Sequence, residues 1–148
     1  MKKRTIRLAV YGALVLFAVL FGAYYYTAGL RLMSVRYDFT PLYIHNFLTR
    51  PLFWWALGAL AAEGFAWKGW LRLPRWLRRR SMLLAILLLA LYVLLAALSI
   101  GFGAALPHPV PTLQIRVLLP LTEHPLLFLI PGLLWGAGFG AAREPGRA

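Results

Sequence analysis

One acidic residue falls inside an apolar stretch of this chain, where a charge is costly and its presence needs a reason. Glu63 lies in the apolar segment 52–67, about one helical turn before Trp67. A charged side chain at the middle of a membrane-spanning helix costs roughly 2.5–3.5 kcal/mol on insertion scales, and less near the membrane surface. Glu63 should therefore be protonated, be paired with another side chain, snorkel to the surface, or bind a proton or a cation.

Three residues are candidate partners for Glu63. Arg7 and Tyr11 lie near one end of the first apolar segment, and Arg143 follows the last one. A guanidinium would neutralise the carboxylate, and a phenol could donate a hydrogen bond to it. We predict that Glu63 is a structural partner of one of these side chains, and a proton or cation site is the alternative.

A second group of polar residues lies in the two connections on the other side of the expected membrane. Imidazoles and carboxylates can bind zinc or copper, but the spacing here matches no ligand pattern. We therefore predict no cofactor, with a metal, a haem or a pH-responsive cluster at the histidines as alternatives. Arg50 and Glu123 precede corresponding prolines and could pair with each other. The group consists of Asp38, His45, Arg50, His108, Glu123 and His124.

Four apolar segments must position these side chains, and they occupy most of the 148 residues. A helix needs about 20 residues to cross the hydrocarbon core of a membrane. Hydrophobic residues make up 61% of the chain, whereas soluble domains contain roughly 45–50%. The sequence therefore predicts a single all-α domain over 1–148, a bundle of four transmembrane helices. Their expected spans are 8–26, 52–67, 82–106 and 126–142.

The basic residues are unevenly distributed, and this sets the orientation of the bundle. They cluster before the first span, between the second and third, and after the fourth. The other two connections carry only Arg31, Arg36, Arg50 and Arg116. Positive residues favour the cytoplasmic side, so we predict cytoplasmic termini and a multi-pass protein of a prokaryotic inner membrane. The start of the chain also resembles a secretory signal, but its apolar run is longer than usual and no A-x-A site follows.

The central cytoplasmic connection, KGWLRLPRWLRRRS over 68–81, is the most basic part of the chain. Its tryptophans and leucines can enter the headgroup region while its arginines meet anionic headgroups. An acidic protein partner is the alternative. Ser81 is predicted to cap the third helix. The expected headgroup ligands are Arg72, Arg75, Arg78, Arg79 and Arg80.

A shift of the sequence by 74 residues places the second span on the fourth and, less closely, the first on the third. This pattern suggests two duplicated helical hairpins, 1–74 and 75–148, that share one orientation. The aligned small residues would let helix backbones approach closely. They could meet each other, a second copy of the chain or another subunit. The predicted packing residues are Gly58, Ala62, Ala66, Gly132, Gly136 and Gly140.

Two segments are expected to depart from straight helices. The alternation in LRLMSVRYDF, within the connection 27–46, would suit an extended segment on the membrane surface. Pro131, near the middle of the fourth span, should kink its helix, because proline removes a helical hydrogen bond.

The sequence favours association over catalysis as the function. It contains no cysteine, no glycine-rich phosphate loop and no paired carboxylates, so thiol chemistry is excluded and we expect no enzyme. The net charge of +12 lies at the membrane ends, which argues for lipid rather than nucleic acid. We expect an accessory or structural subunit of a membrane complex, or a homo-oligomer. A small transporter or channel that uses Glu63, and a lipid- or quinone-binding protein, are the alternatives.

Overall fold

The computed structural model describes residues 2–71, 73–101 and 119–140, and all regular elements in these ranges are helical. The predicted all-α class is therefore confirmed for the part of the chain that the structure describes. Arg72, His108 and Arg143 lie outside these ranges, as do the predicted ends of the third and fourth spans.

The first half of the chain forms two long helical rods. α1 (Lys2–Tyr24) continues through a π-helical turn (Tyr25–Gly29) into α2 (Leu30–Arg36). α3 (Thr40–Ile44) continues through a second π-helical turn (His45–Thr49) into α4 (Arg50–Trp67).

The extended segment predicted over 27–46 is wrong, because only the short stretch 37–39 is non-helical there. Tyr37 turns the chain with a left-handed backbone, at φ 54°. A helix satisfies its backbone hydrogen bonds within the segment, whereas an extended strand would need a partner strand to do so.

The second half begins with α5 (Arg75–Gly101) and resumes with α6 (Leu119–Glu123). A 3-10 turn (Pro125–Phe128) then leads into α7 (Leu129–Gly140). Pro131 is the third residue of α7, where a backbone N–H has no partner within the α-helix, so proline is tolerated there. The expected mid-helix kink is thus replaced by a change from 3-10 to α geometry.

Ser81 does not cap the third helix, because α5 begins six residues earlier, at Arg75. The carbonyl of Pro74 accepts the backbone N–H of Arg78 at 3.1 Å and so starts the helix. The Ser81 hydroxyl instead donates to the Arg78 carbonyl at 2.9 Å.

Within the part of the chain that the structure describes, two helical stretches are long and apolar enough to cross a membrane, Lys3–Arg36 and Arg75–Leu98. The helix Pro125–Phe139 is apolar but shorter. α4 has the length for a span, but it carries Arg50 near its start and Glu63 near its end.

The helices pack in the order α1, α4, α7, α5. α4 lies at the centre and buries small residues, including Ala56, Ala59 and Ala62. Large apolar side chains of α1 and α5, such as Leu20 and Leu87, are exposed on the outside. Glu63, the buried acidic residue of α4, therefore depends on the neighbouring helices for a partner.

Candidate functional site

Glu63 is completely buried, and Arg7 of α1 binds its carboxylate. The Arg7 Nη2 atom donates to Glu63 Oε1 at 2.6 Å, and Arg7 Nε donates to the same oxygen at 3.1 Å. About a third of the Arg7 side chain remains exposed. The charge that the sequence places in an apolar helix is thus matched by a cation from the neighbouring helix.

Arg4 is a second cation at this carboxylate. Its Nη2 donates to the backbone carbonyl of Glu63 at 2.8 Å. Its Nε is 3.9 Å from Glu63 Oε1, a distance for electrostatic attraction but not for a hydrogen bond. Arg4 was not among the partners considered from the sequence, although residues three apart, such as Arg4 and Arg7, share a helix face.

An aromatic cluster continues from the ion pair into the bundle. The Arg7 guanidinium lies 5.2 Å from the ring centre of Phe139, which packs on Trp135. The indole N–H of Trp135 donates to the hydroxyl of Tyr11 at 3.0 Å. Tyr11 also meets Trp55 edge to face at 5.9 Å. The cluster joins α1, α4 and α7, and Tyr11 has Trp135 as its hydrogen-bond donor.

The small residues of α4 and α7 lie against each other. A Cβ added to Gly58 would be 2.5 Å from the carbonyl oxygen of Leu129. A Cβ added to Gly132 would collide with the carbonyl of Trp55, and one added to Gly136 with that of Ala59. Residue numbers rise together along the contact, so the two helices run parallel.

Other members of the predicted packing set are placed differently. Ala62 is buried, and its Cβ would lie 2.9 Å from a Cβ on Gly136. Ala66 is half-buried. The surroundings of Gly140 lie outside the described part of the structure.

His45, in the second π-helical turn, contacts the first rod. Its ring stacks on Tyr25 with centres 4.3 Å apart, and its Nδ1 is 3.2 Å from the hydroxyl of Thr49. His45 lies before the predicted span 52–67, and burial lowers the pKa of its imidazole. The stack joins the two π-helical turns, a helix type that is frequent at functional sites.

The other members of the predicted polar group that the structure describes do not form one site, and His108 lies outside the described residues. Arg50 donates to Asn46 Oδ1 at 3.4 Å, and no salt bridge with Glu123 is present among the described residues. His124 and Glu123 are exposed. Hydrogen bonds from Thr40 hold the pKa of Asp38 below its ordinary value. No three histidines or carboxylates within 2–71, 73–101 and 119–140 lie close enough to hold a metal ion.

The arginines near the start of α5 take two different positions. Arg75, Arg78 and Arg79 line a cavity of about 330 Å³ between α5 and α7. Arg80 instead lies over the ring of Trp76, at 5.2 Å. The Arg78 Nε atom donates to the Gly138 carbonyl at 3.4 Å, which ties α5 to α7 at this end.

Apolar grooves flank α5 farther along its length. Tyr92 meets Phe128 edge to face at 4.6 Å, and its hydroxyl donates to the Phe47 carbonyl at 2.6 Å. A cavity of about 280 Å³ lies on one side of this pair and one of about 290 Å³ on the other. Leucines line most of the first groove, so it fits a hydrocarbon chain.

No protein-family model, curated protein or solved structure matches this chain.

Proposed function

We propose that this chain is a four-span membrane protein with cytoplasmic termini that acts by association with other membrane components, not by catalysis. One observation carries the proposal. The most costly polar group, Glu63, is consumed in a contact with Arg7 that holds the chain's own helices together. The engagement of this buried carboxylate by Arg7, and of its backbone carbonyl by Arg4, supports a structural role for Glu63.

The four-span topology is supported by how the shorter helices are placed. α4 lies between α1 and α7, so its polar residues are shielded from lipid by neighbouring helices. Polar side chains within membranes face the interior of a bundle for this reason. The basic residues before α1 and around the start of α5 favour one common side, the cytoplasm.

The surfaces available for association are the outer faces of α1 and α5. The glycine faces of α4 and α7 are already used inside the chain. Large apolar side chains cover α1 and α5 on the outside, among them Leu16, Leu20, Leu83 and Leu87. A second copy of the chain or another membrane subunit would pack there.

The test is isolation of the full chain in mild detergent, followed by native mass spectrometry. We expect a discrete complex, either a homo-oligomer or an assembly with another membrane protein. Cross-links from cysteines at Leu20 and Leu87 should map the contact to α1 or α5. A monomer that brings no other chain with it, in several mild detergents, would contradict the proposal.

A lipid- or quinone-binding role is the second candidate. The two apolar grooves beside Tyr92 and Phe128 favour it, because each could hold part of an isoprenoid or acyl chain. Extraction and mass analysis of bound small molecules would test it. Loss of a co-purifying quinone or lipid in Phe128→Ala, with the fold retained, would support this function.

A further inference from the structure

The two hairpins carry arginines at equivalent places near the start of their first helix. The shift of 74 residues that relates the hairpins places Arg4 on Arg78. Arg4 donates to the backbone carbonyl of Glu63, at 2.8 Å. Arg78 donates to the carbonyl of Gly138, one residue beyond the position equivalent to Glu63, at 3.4 Å. In both hairpins an arginine of the first helix thus binds a carbonyl of the second.

The two hairpins differ in whether a carboxylate lies beside the arginine of the first helix. In the first, the carboxylate of Glu63 fills the space beside Arg4 and Arg7 and is fully buried. In the second, the position equivalent to Glu63 is Ala137. No carboxylate among the described residues lies within 4.0 Å of Arg78 or Arg79.

In the second hairpin, a cavity lies beside Arg78, the arginine equivalent to Arg4. The cavity measures about 330 Å³, and the guanidinium-bearing side chains of Arg75, Arg78 and Arg79 line one part of it. Met82 and Phe139 supply apolar walls. Several guanidinium groups around one space favour an anion with several oxygens, since the planar guanidinium matches phosphate in a bidentate geometry.

We propose that this cavity between α5 and α7 binds the phosphate of an anionic phospholipid of the cytoplasmic leaflet. The proposal rests on the cytoplasmic orientation proposed above. Basic pockets between membrane helices on that side are suited to such headgroups. The exposed side chains of Leu83 and Leu87 follow Arg79 at intervals of four residues along the same face of α5. An acyl chain can lie on this stripe, which favours a lipid over free phosphate.

The experiment uses the full chain in nanodiscs that contain phosphatidylcholine with or without phosphatidylglycerol. Native mass spectrometry counts retained lipids, and thermal unfolding reports lipid-dependent stabilisation. The wild type should retain phosphatidylglycerol in preference to phosphatidylcholine. The double variant Arg78→Gln, Arg79→Gln should bind it more than about tenfold less tightly, because each substitution removes charge-assisted hydrogen bonds from a guanidinium to the phosphate.

A matched control removes the same charge outside the cavity. Lys3 is exposed and Lys68 lies over Trp70, so Lys3→Gln, Lys68→Gln should leave lipid retention near the wild-type level. Equal losses in the two double variants would overturn the site in favour of diffuse attraction. Displacement of the lipid by inorganic phosphate would overturn the lipid assignment.

A single substitution at an exposed residue separates loss of lipid binding from loss of folding. Arg79 is exposed, so Arg79→Gln should fold normally and still weaken lipid retention. Unchanged retention in this variant would contradict the proposal. Cysteine labelling measures the orientation of the chain independently of lipid retention. A failure of the proposed orientation can therefore be told apart from the absence of a lipid site.

Discussion

Arg7 and Glu63 are joined across 56 residues of sequence by a contact of 2.6 Å, and this contact fixes α1 against α4. Glu63 has no exposure to solvent, whereas about a third of the Arg7 side chain is exposed. Removing one partner of a buried pair is more damaging than replacing both, because it leaves an uncompensated charge in a poorly polar environment. Loss of either partner alone should therefore destabilise the packing of α1 on α4.

The first prediction is that Arg7 and Glu63 are energetically coupled. Arg7→Gln and Glu63→Gln should each lower the stability of the bundle, and the double variant should lose less than the sum. A coupling free energy of about 1–3 kcal/mol is expected for residues in direct ionic contact. Unfolding in mild detergent measures it in a double-mutant cycle. Tyr11→Phe with Glu63→Gln is the comparison pair and should be more nearly additive.

The sequence identifies Glu63 as the costly carboxylate but does not determine which side chain pairs with it. Arg7 and Tyr11 are both one or two turns into α1, and only the packing of α1 on α4 puts the Arg7 guanidinium at the carboxylate. The Arg4 contact was not predicted, because its hydrogen bond goes to the backbone carbonyl of Glu63, which the spacing of charged residues does not indicate. The aromatic cluster also depends on tertiary packing, since Trp135 and Tyr11 are 124 residues apart.

The second prediction concerns the contact between α4 and α7. Gly58→Leu and Gly132→Leu should each lower the unfolding temperature sharply, because the new side chain meets the backbone of the facing helix. Overpacking typically costs about 1–3 kcal/mol and can cost more. Gly64→Leu is the matched control on the same helix, where an added Cβ meets nothing within 4 Å. Similar losses at Gly58 and Gly64 would contradict the parallel packing of these helices.

The all-helical class followed from composition, but element boundaries depended on contacts that composition does not encode. The stretch LRLMSVRYDF over 30–39 alternates in polarity, yet the chain forms helices on either side of the short stretch 37–39. Pro131 was expected inside a long helix and lies in the first turn of α7. In both places the sequence pattern covers only a few residues. The residue at which a helix begins depends instead on the turn that precedes it.

The third prediction tests the topology. Ser34 is exposed in α2, and Lys68 is exposed at the end of α4. In this cysteine-free chain, Ser34→Cys should react with an impermeant maleimide added outside intact cells, whereas Lys68→Cys should react only after permeabilisation. Ser81 is unsuitable for this purpose because it is buried in α5. The reverse labelling pattern would invert the orientation and remove the basis for a cytoplasmic lipid site.

The fourth prediction separates the structural reading of Glu63 from transport. If Glu63 only binds Arg7 and Arg4, proteoliposomes of wild type and Glu63→Gln should show the same low proton and cation permeability. The amide keeps the shape of the side chain but loses its charge, so Glu63→Gln should unfold at a lower temperature. Arg7→Lys is the matched variant. Lysine keeps the positive charge but lacks the planar guanidinium, whose donors match a carboxylate. A wild-type proton or cation flux that disappears in Glu63→Gln, with an unchanged unfolding temperature, would refute the structural role and make transport the function of this chain.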